Sequence, residues 1–160
     1  MASVPPNFAS LPAGQRCWIE RHPGVIDAFF DSDPSHLATV RTAIESLCAE
    51  AGFDEKAIGE IGLVVNEAIA NIIRHAYGSA SDKPIQARAE LVDDGIEIKL
   101  RDWGNGKCPV PPEKKKAPDP LTPGGLGLVC MHHLMDHVLF TPQPRGMLLS
   151  LRRGRRKNQS

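Results

Sequence analysis

Residues 58–78, IGEIGLVVNEAIANIIRHAYG, constrain the fold more than any other stretch of the chain. Ile58, Ile61, Val65, Ala68, Ile69, Ile72 and Ala76 recur at helical spacing, which draws one apolar stripe along a single helix, and Gly78 supplies its stop signal. Two polar residues interrupt the stretch. Glu67 and Asn71 are four apart, so they lie nearly above one another on one side of the helix. A carboxylate beside a carboxamide, next to an apolar face, has a chemical use. Glu67 could take a proton or align a water or hydroxyl, and Asn71 could offer its side-chain oxygen to a hard cation such as magnesium. The competing reading is that both are solvated, as most polar residues on an amphipathic helix are.

The segments around this helix read as an α/β arrangement. Arg16–Glu20 and Val25–Phe30 are short strand candidates across a His22-Pro23-Gly24 turn. Asp33-Pro34-Ser35 starts a first helix, whose apolar face is Leu37, Val40, Ile44, Leu47 and Cys48, and which runs to about Ala51. Gly52 breaks that helix and Asp54 can cap the next. From Pro84 the period changes to two. Ile85, Ala87, Ala89 and Leu91 alternate with polar residues, Asp93-Asp94-Gly95 signals a hairpin, and Ile96, Ile98 and Leu100 alternate on the return. Strict alternation buries one sheet face more tightly than the other, so helices are expected on one side of an antiparallel sheet.

Asp102-Trp103-Gly104-Asn105-Gly106 closes the second of these strands. Asp102 sits where two glycines let the backbone bend and approach a ligand closely. Residues 107–123 then carry six prolines together with Lys107, Lys114, Lys115 and Lys116. A long segment of that kind inside a compact domain reads as a lid or binding loop, or as disorder, and its lysines as phosphate contacts or a solvated charge run. Gly124-Gly125-Leu126-Gly127 follows, ahead of a helix expected over Leu128–His137. Glycines before a helix N-terminus can present N–H groups to phosphate, although a plain tight turn has the same sequence. A hairpin from Val138 to Leu151 across Pro142–Gly146 and a basic tail complete the chain. His132, His133 and His137 have no carboxylate pattern around them and read as surface or packing residues.

Bulk properties exclude several classes. Lys plus Arg and Asp plus Glu are both 19, so the formal net charge is zero, and nothing global argues for nucleic acid or an anionic membrane. No apolar run approaches a membrane span, and the N-terminus does not read as a secretory signal. The four cysteines, Cys17, Cys48, Cys108 and Cys130, form no C-x-x-C pair, so buried or incidental thiols in a reducing cytosol are expected rather than a zinc site.

Three features stand in one order: E-A-x-x-N-x-x-x-H-A-Y at Glu67–Tyr77, D-x-G-x-G at Asp102–Gly106, and G-G-L-G-L at Gly124–Leu128. The set resembles the N, G1 and G2 boxes of the GHKL ATP-binding superfamily. Within it, the chain is similar to the small bacterial anti-sigma regulatory factors with serine/threonine kinase activity. H-A-Y after the first box and G-L-G-L-V-x-x-x-x-x-L-M-D at Gly125–Asp136 favour that branch over histidine kinases, as does the length.

The resemblance implies a two-layer α/β sandwich, with a mixed, mainly antiparallel sheet and helices on one face. It covers roughly residues 30–152 and implies an ATP-binding kinase domain at 16–152 with its lid at 105–125, while residues 1–15, rich in Pro, Ala and Ser, read as a flexible arm and 153–160 as a basic tail. Asn71 would coordinate the magnesium that bridges the ATP phosphates. Glu67 would be the general base toward a protein serine or threonine. Asp102 would accept a hydrogen bond from the adenine amino group. Gly104 and Gly106 would let the chain close around the base, and Gly125 and Gly127 would line the phosphates. His75 would be structural.

The implied function is cytoplasmic partner switching. The protein, a homodimer, would sequester a sigma factor and phosphorylate an anti-anti-sigma antagonist of the STAS type, with no direct contact to nucleic acid or membrane. Two alternatives remain: a module that binds partners with ATP serving structure only, or without ATP, and a plain ATP-hydrolysing module of the same fold. Arg41, exposed by periodicity on the first helix, would belong to the partner surface.

Overall fold

The computed structural model describes residues 8–105 and 125–155. Six strands form one sheet: β1 (Cys17–His22), β2 (Val25–Asp31), β3 (Pro84–Val92), β4 (Gly95–Asp102), β5 (His137–Pro142) and β6 (Met147–Gly154). Their spatial order is β1-β2-β3-β4-β6-β5, and all five pairings are antiparallel, so no parallel pair occurs among the described strands. Three helices, α1 (Leu37–Glu50), α2 (Glu55–Asn71) and α3 (Gly125–Leu134), complete the two-layer α/β architecture.

The alternation read from β3 and β4 is the buried pattern. Ile85, Ala87 and Ala89 share one core with Ile96, Ile98 and Leu100, and β6 adds Leu149 and Leu151. Val40, Ile44 and Leu47 of α1 and Ile61, Val64, Val65 and Ile69 of α2 fill the same core. The opposite sheet face carries mixed residues. Phe29 meets Trp18 and Phe8 at ring-centroid distances of 5.8 and 6.3 Å, and the buried Asp27 is paired with Arg88 at 3.0 Å.

Local chemistry sets the helix ends. Asp54 accepts the Ala57 N–H at 2.7 Å and caps α2, while Gly52 turns the chain at φ +84°. The expectation of one helix from Ile58 to Gly78 needs amendment at its end. α2 stops at Asn71, and residues Ile72–Ala76 form a π turn before Gly78 and Ser79 finish in the left-handed region. The apolar stripe stays inward through this turn, with Ile72 and Ile73 buried.

Three other expectations change. α3 begins at Gly125, so Gly125 and Gly127 lie inside the helix's first turn, and the helix ends at Leu134, after which the chain enters β5 at His137. β6 runs through Arg152 and Arg153 to Gly154, beyond the point where the basic tail was expected. Arg153 is buried and ion-paired with Glu60 of α2 at 2.6 Å. Arg41 is half-buried, pairs with Glu45 at 3.4 Å, and reaches Asn66 at 3.4 Å, so it stitches α1 to α2 instead of standing free.

Cys48 is fully buried, and burial, with Glu45 adding to it, pushes its thiol up to about 12, which makes it inert packing. Among the described residues no helix is long and apolar enough to cross a membrane, and no group of three or more His, Cys, Asp or Glu could hold a metal ion.

Candidate functional site

The site is built on the C-terminal half of α2 and the π turn that follows. Glu67 and Asn71 are both partly buried on the side of α2 that packs against α3. Gly127, in the first turn of α3, is the residue that lies over them. A side-chain carbon at Gly127 would fall 2.9 Å from Glu67 Oε2 and 3.4 Å from Asn71 Nδ2. Only a glycine lets the two helices leave that space open without moving the carboxylate. The first and third sequence motifs therefore converge, although more than fifty residues separate Asn71 from Gly127.

The middle motif is tied to the same segment from the sheet side. Asn105 N–H donates to the Ala76 carbonyl at 3.2 Å, and a side-chain carbon on Gly104 would run into the Ala76 backbone. The strand end thus crosses directly over the end of the π turn. Tyr77 fixes that crossing. Its hydroxyl donates to the Pro84 carbonyl at 2.6 Å and accepts the Trp103 N–H at 2.8 Å, which joins the start of β3 to the end of β4. Gly146 presses against the Asp102 carbonyl from the β5–β6 turn, at φ +87°. Arg145 donates to the Trp103 carbonyl at 3.2 Å, and the Arg101 guanidinium lies 4.5 Å from the Trp103 ring centroid.

Asp102 points into this arrangement as a buried carboxylate, 4 % exposed. It accepts the Gly104 N–H at 3.0 Å, with Met147 N–H as a further donor. Burial raises its pKa above the ordinary carboxylate range, and the Gly104 bond, the Arg101 charge and the Met147 bond offset only part of that. The sign for stability follows. The folded state holds the Asp102 proton more tightly than the unfolded chain, so this group favours folding as pH falls through the window between the two values, and opposes it above. A hydrogen bond accepted by Asp102 is stronger in the ionised form, because the neutral carboxyl keeps only a weaker carbonyl acceptor. Any ligand that Asp102 holds by accepting a donor should accordingly bind more weakly on acidification, with a midpoint above about 3.9, the value for an unperturbed aspartate. A pH titration of ligand binding checks this, and a midpoint at or below that ordinary value would contradict it.

Asn71 has one further neighbour. Arg74 donates from Nη2 to Asn71 Oδ1 at 2.9 Å, and the Arg74 Nε is buried without a hydrogen-bond partner. His75 is exposed.

Of the residues singled out in the sequence, the structure brings Glu67, Asn71 and Gly127 together and places Asp102 and Gly104 at the far end of the same segment. Gly125 is the first residue of α3. Gly106, the lysines between residues 107 and 116 and the remainder of the expected lid to Gly124 lie outside the described residues. Sequence reasoning missed the bridging role of Tyr77, although it is the single tyrosine of the chain and part of a quoted motif. It also missed Gly146, which sits in an ordinary-looking turn, and Arg74, which carries no local signal at all.

Comparisons with known proteins show what the chain is similar to. The model of the histidine kinase-like ATPase domain matches residues 30–153. The serine-protein kinase RsbW of Bacillus licheniformis is 29% identical over 114 residues, covering 66% of this chain and 70% of that protein. The protein of the same name from Bacillus velezensis is 26% identical over 120 residues, covering 71% and 75%. Among solved structures, the RsbU and RsbW domains of a Mycobacterium tuberculosis protein superpose with a TM-score of 0.60 at 20% identity, over 81% of this chain and 32% of that one. The histidine kinase domain of a blue-light-activated kinase from Erythrobacter litoralis gives 0.51 at 18% identity, over 79% of this chain and 64% of that one. This chain spans about a third of the first structure and under two thirds of the second; at those identities the likeness is one of fold.

Proposed function

The chain belongs to the histidine kinase-like ATPase domain family, and on that premise we propose that it is an anti-sigma factor with ATP-dependent protein serine/threonine kinase activity. It binds Mg·ATP, sequesters a sigma factor in the cytoplasm as a homodimer, and phosphorylates a serine or threonine on an anti-anti-sigma antagonist of the STAS type. The similarity to RsbW serine-protein kinases supports the reaction class. The observation that supports the reading is the seating of Gly127 over Glu67 and Asn71, because it brings a carboxylate, a carboxamide and a glycine in the first turn of α3 into one place.

The residues present fit magnesium and ATP. The Asn71 oxygen already attracts a cationic donor at 2.9 Å, the space beside Gly127 is one that a side chain would fill, and Asp102 is a buried acceptor. Asn71 would hold the metal, which when bound neutralises phosphate charge and helps orient the transferred group. The first turn of α3, Gly125 to Gly127, has backbone N–H groups without intrahelical partners, which would donate to phosphate oxygens. Asp102 accepts from the adenine amino group, while Gly104 keeps the backbone close to the helix end so that the base can enter. Glu67 takes the proton of the attacking serine or threonine hydroxyl as its oxygen bonds to the γ-phosphorus and ADP leaves. Phosphoryl transfer asks mostly for positioning and charge neutralisation, and this set supplies both.

The test is transfer of label from γ-labelled ATP to a STAS-type antagonist in the presence and absence of a sigma factor. Label on a serine or threonine of the antagonist is the expected result. Release as free phosphate alone would make the protein an ATPase, and capture of the sigma factor without transfer would make it a binding module.

A further inference from the structure

The hydrogen bond between Arg74 and Asn71 occupies the atom on which the nucleotide reading depends. Asn71 Oδ1 accepts from Arg74 Nη2 at 2.9 Å. Arg74 lies three residues on, and a side chain in a helical turn leans back toward the preceding turn, so the contact is built into the local chain path. One other guanidinium donor is unserved. The Arg74 Nε is buried without a hydrogen-bond partner, a costly state for a charged donor. Among the described residues no carboxylate pairs with Arg74. A charged side chain held against one neutral oxygen, with a buried donor unpaired, is not a settled structural bridge.

We propose that Arg74 is a resident cation that competes with magnesium for Asn71 Oδ1 and thereby sets the metal concentration at which this protein takes ATP. The proposal deepens the nucleotide reading and rests on it. A carbonyl oxygen has two lone pairs, so a neutral donor and a metal ion can share it. A guanidinium cannot share it cheaply, because the divalent ion and the guanidinium would then stand within roughly 5 Å of each other at like charge. The competition is therefore one of charge, and Arg74 must swing off Asn71 for the metal to bind. Arg74 acts through Asn71, so it is a positioning residue and not a catalytic one.

Charge variants separate this from simple support of the Asn71 side chain. ATP binding is followed by calorimetry across a Mg2+ titration for the wild type and for Arg74→Gln, Arg74→Met and Arg74→Lys. The Gln and Met variants should half-saturate at a Mg2+ concentration lower by about fivefold or more, and Lys should stay within roughly twofold of the wild type. Two neutral variants keep the test usable if one folds poorly. Full binding by Arg74→Gln at a Mg2+ concentration where the wild type is still largely unsaturated would be the strongest support. An unchanged or higher Mg2+ requirement in both neutral variants, with the wild type binding normally, would overturn this proposal alone. Failure of the wild type and both neutral variants to bind at any Mg2+ concentration would overturn the nucleotide reading and this proposal with it.

Discussion

On the proposed base role, replacing Glu67 with Gln should lower phosphate transfer to a protein hydroxyl by about 10²–10⁴-fold, the usual contribution of a positioned general base, and should leave Mg·ATP binding close to that of the wild type. The substitution keeps the shape of the side chain under Gly127, where Oε2 lies 2.9 Å from the position of a would-be side-chain carbon. The nucleotide cradle is therefore undisturbed and only the proton acceptor is removed. Single-turnover transfer to the antagonist, measured beside calorimetric ATP affinity, separates the two effects. Normal transfer by the variant would remove Glu67 from the base role and leave the carboxylate a packing group at the α2–α3 contact.

Gly104→Ala should destabilise the fold by about 3 kcal/mol, near the upper end for overpacking, and lower Tm by roughly 6–12 °C in a chain of this size. The new carbon would lie 2.7 Å from both the Ala76 carbonyl carbon and the Ala76 Cβ, and closer still to the carbonyl oxygen. These are atoms of the π turn and not the tip of a flexible side chain, so the strand end must lift. Lifting it breaks the Asn105–Ala76 bond and moves Asp102, so adenine affinity falls together with stability. Gly127→Ala is the contrasting case. There the obstructing atom is the end of the Glu67 side chain, which can swing aside, so Tm should change little while transfer drops. Thermal melts of the two variants distinguish them. Equal melting temperatures would mean that the strand does not bear on the π turn as described.

Much of the fold was legible because burial imposes a period. Ile85, Ala87 and Ala89 and their partners Leu100 and Ile98 had to face one way, and their alternation specified both strands and their register. The stripe on α2 worked for the same reason, and Gly52 and Asp54 marked its start through turn and cap chemistry. The misreadings share a different cause, which is tertiary contact overriding local preference. Glycines are poor helix formers, so Gly125 and Gly127 read as loop, but a helix that approaches Glu67 closely needs Gly127. Arg152 and Arg153 read as solvated tail because basic runs usually are. Arg153 is instead drawn into β6 by Glu60, a residue ninety-three positions away. Glu67, Asn71, Asp102, Gly104 and Gly127 were singled out by their motifs, and the fold brings them to the end of α2 and the turn after it. Tyr77, Gly146 and Arg74 were not, because a hydroxyl bridging two strands, a glycine under a carbonyl and a guanidinium on a carboxamide become visible only once the chain has folded.

The account turns on Asn71 as the residue that ties nucleotide to metal. Calorimetry of ATP binding with and without magnesium, on the wild type beside Asn71→Ala, tests it most directly. The predicted result is binding by the wild type that requires magnesium and is lost in the variant. Wild-type protein that binds no ATP at any magnesium concentration, or a variant that binds as well as the wild type, would contradict it; the first outcome would leave a partner-binding module built on an ATPase fold.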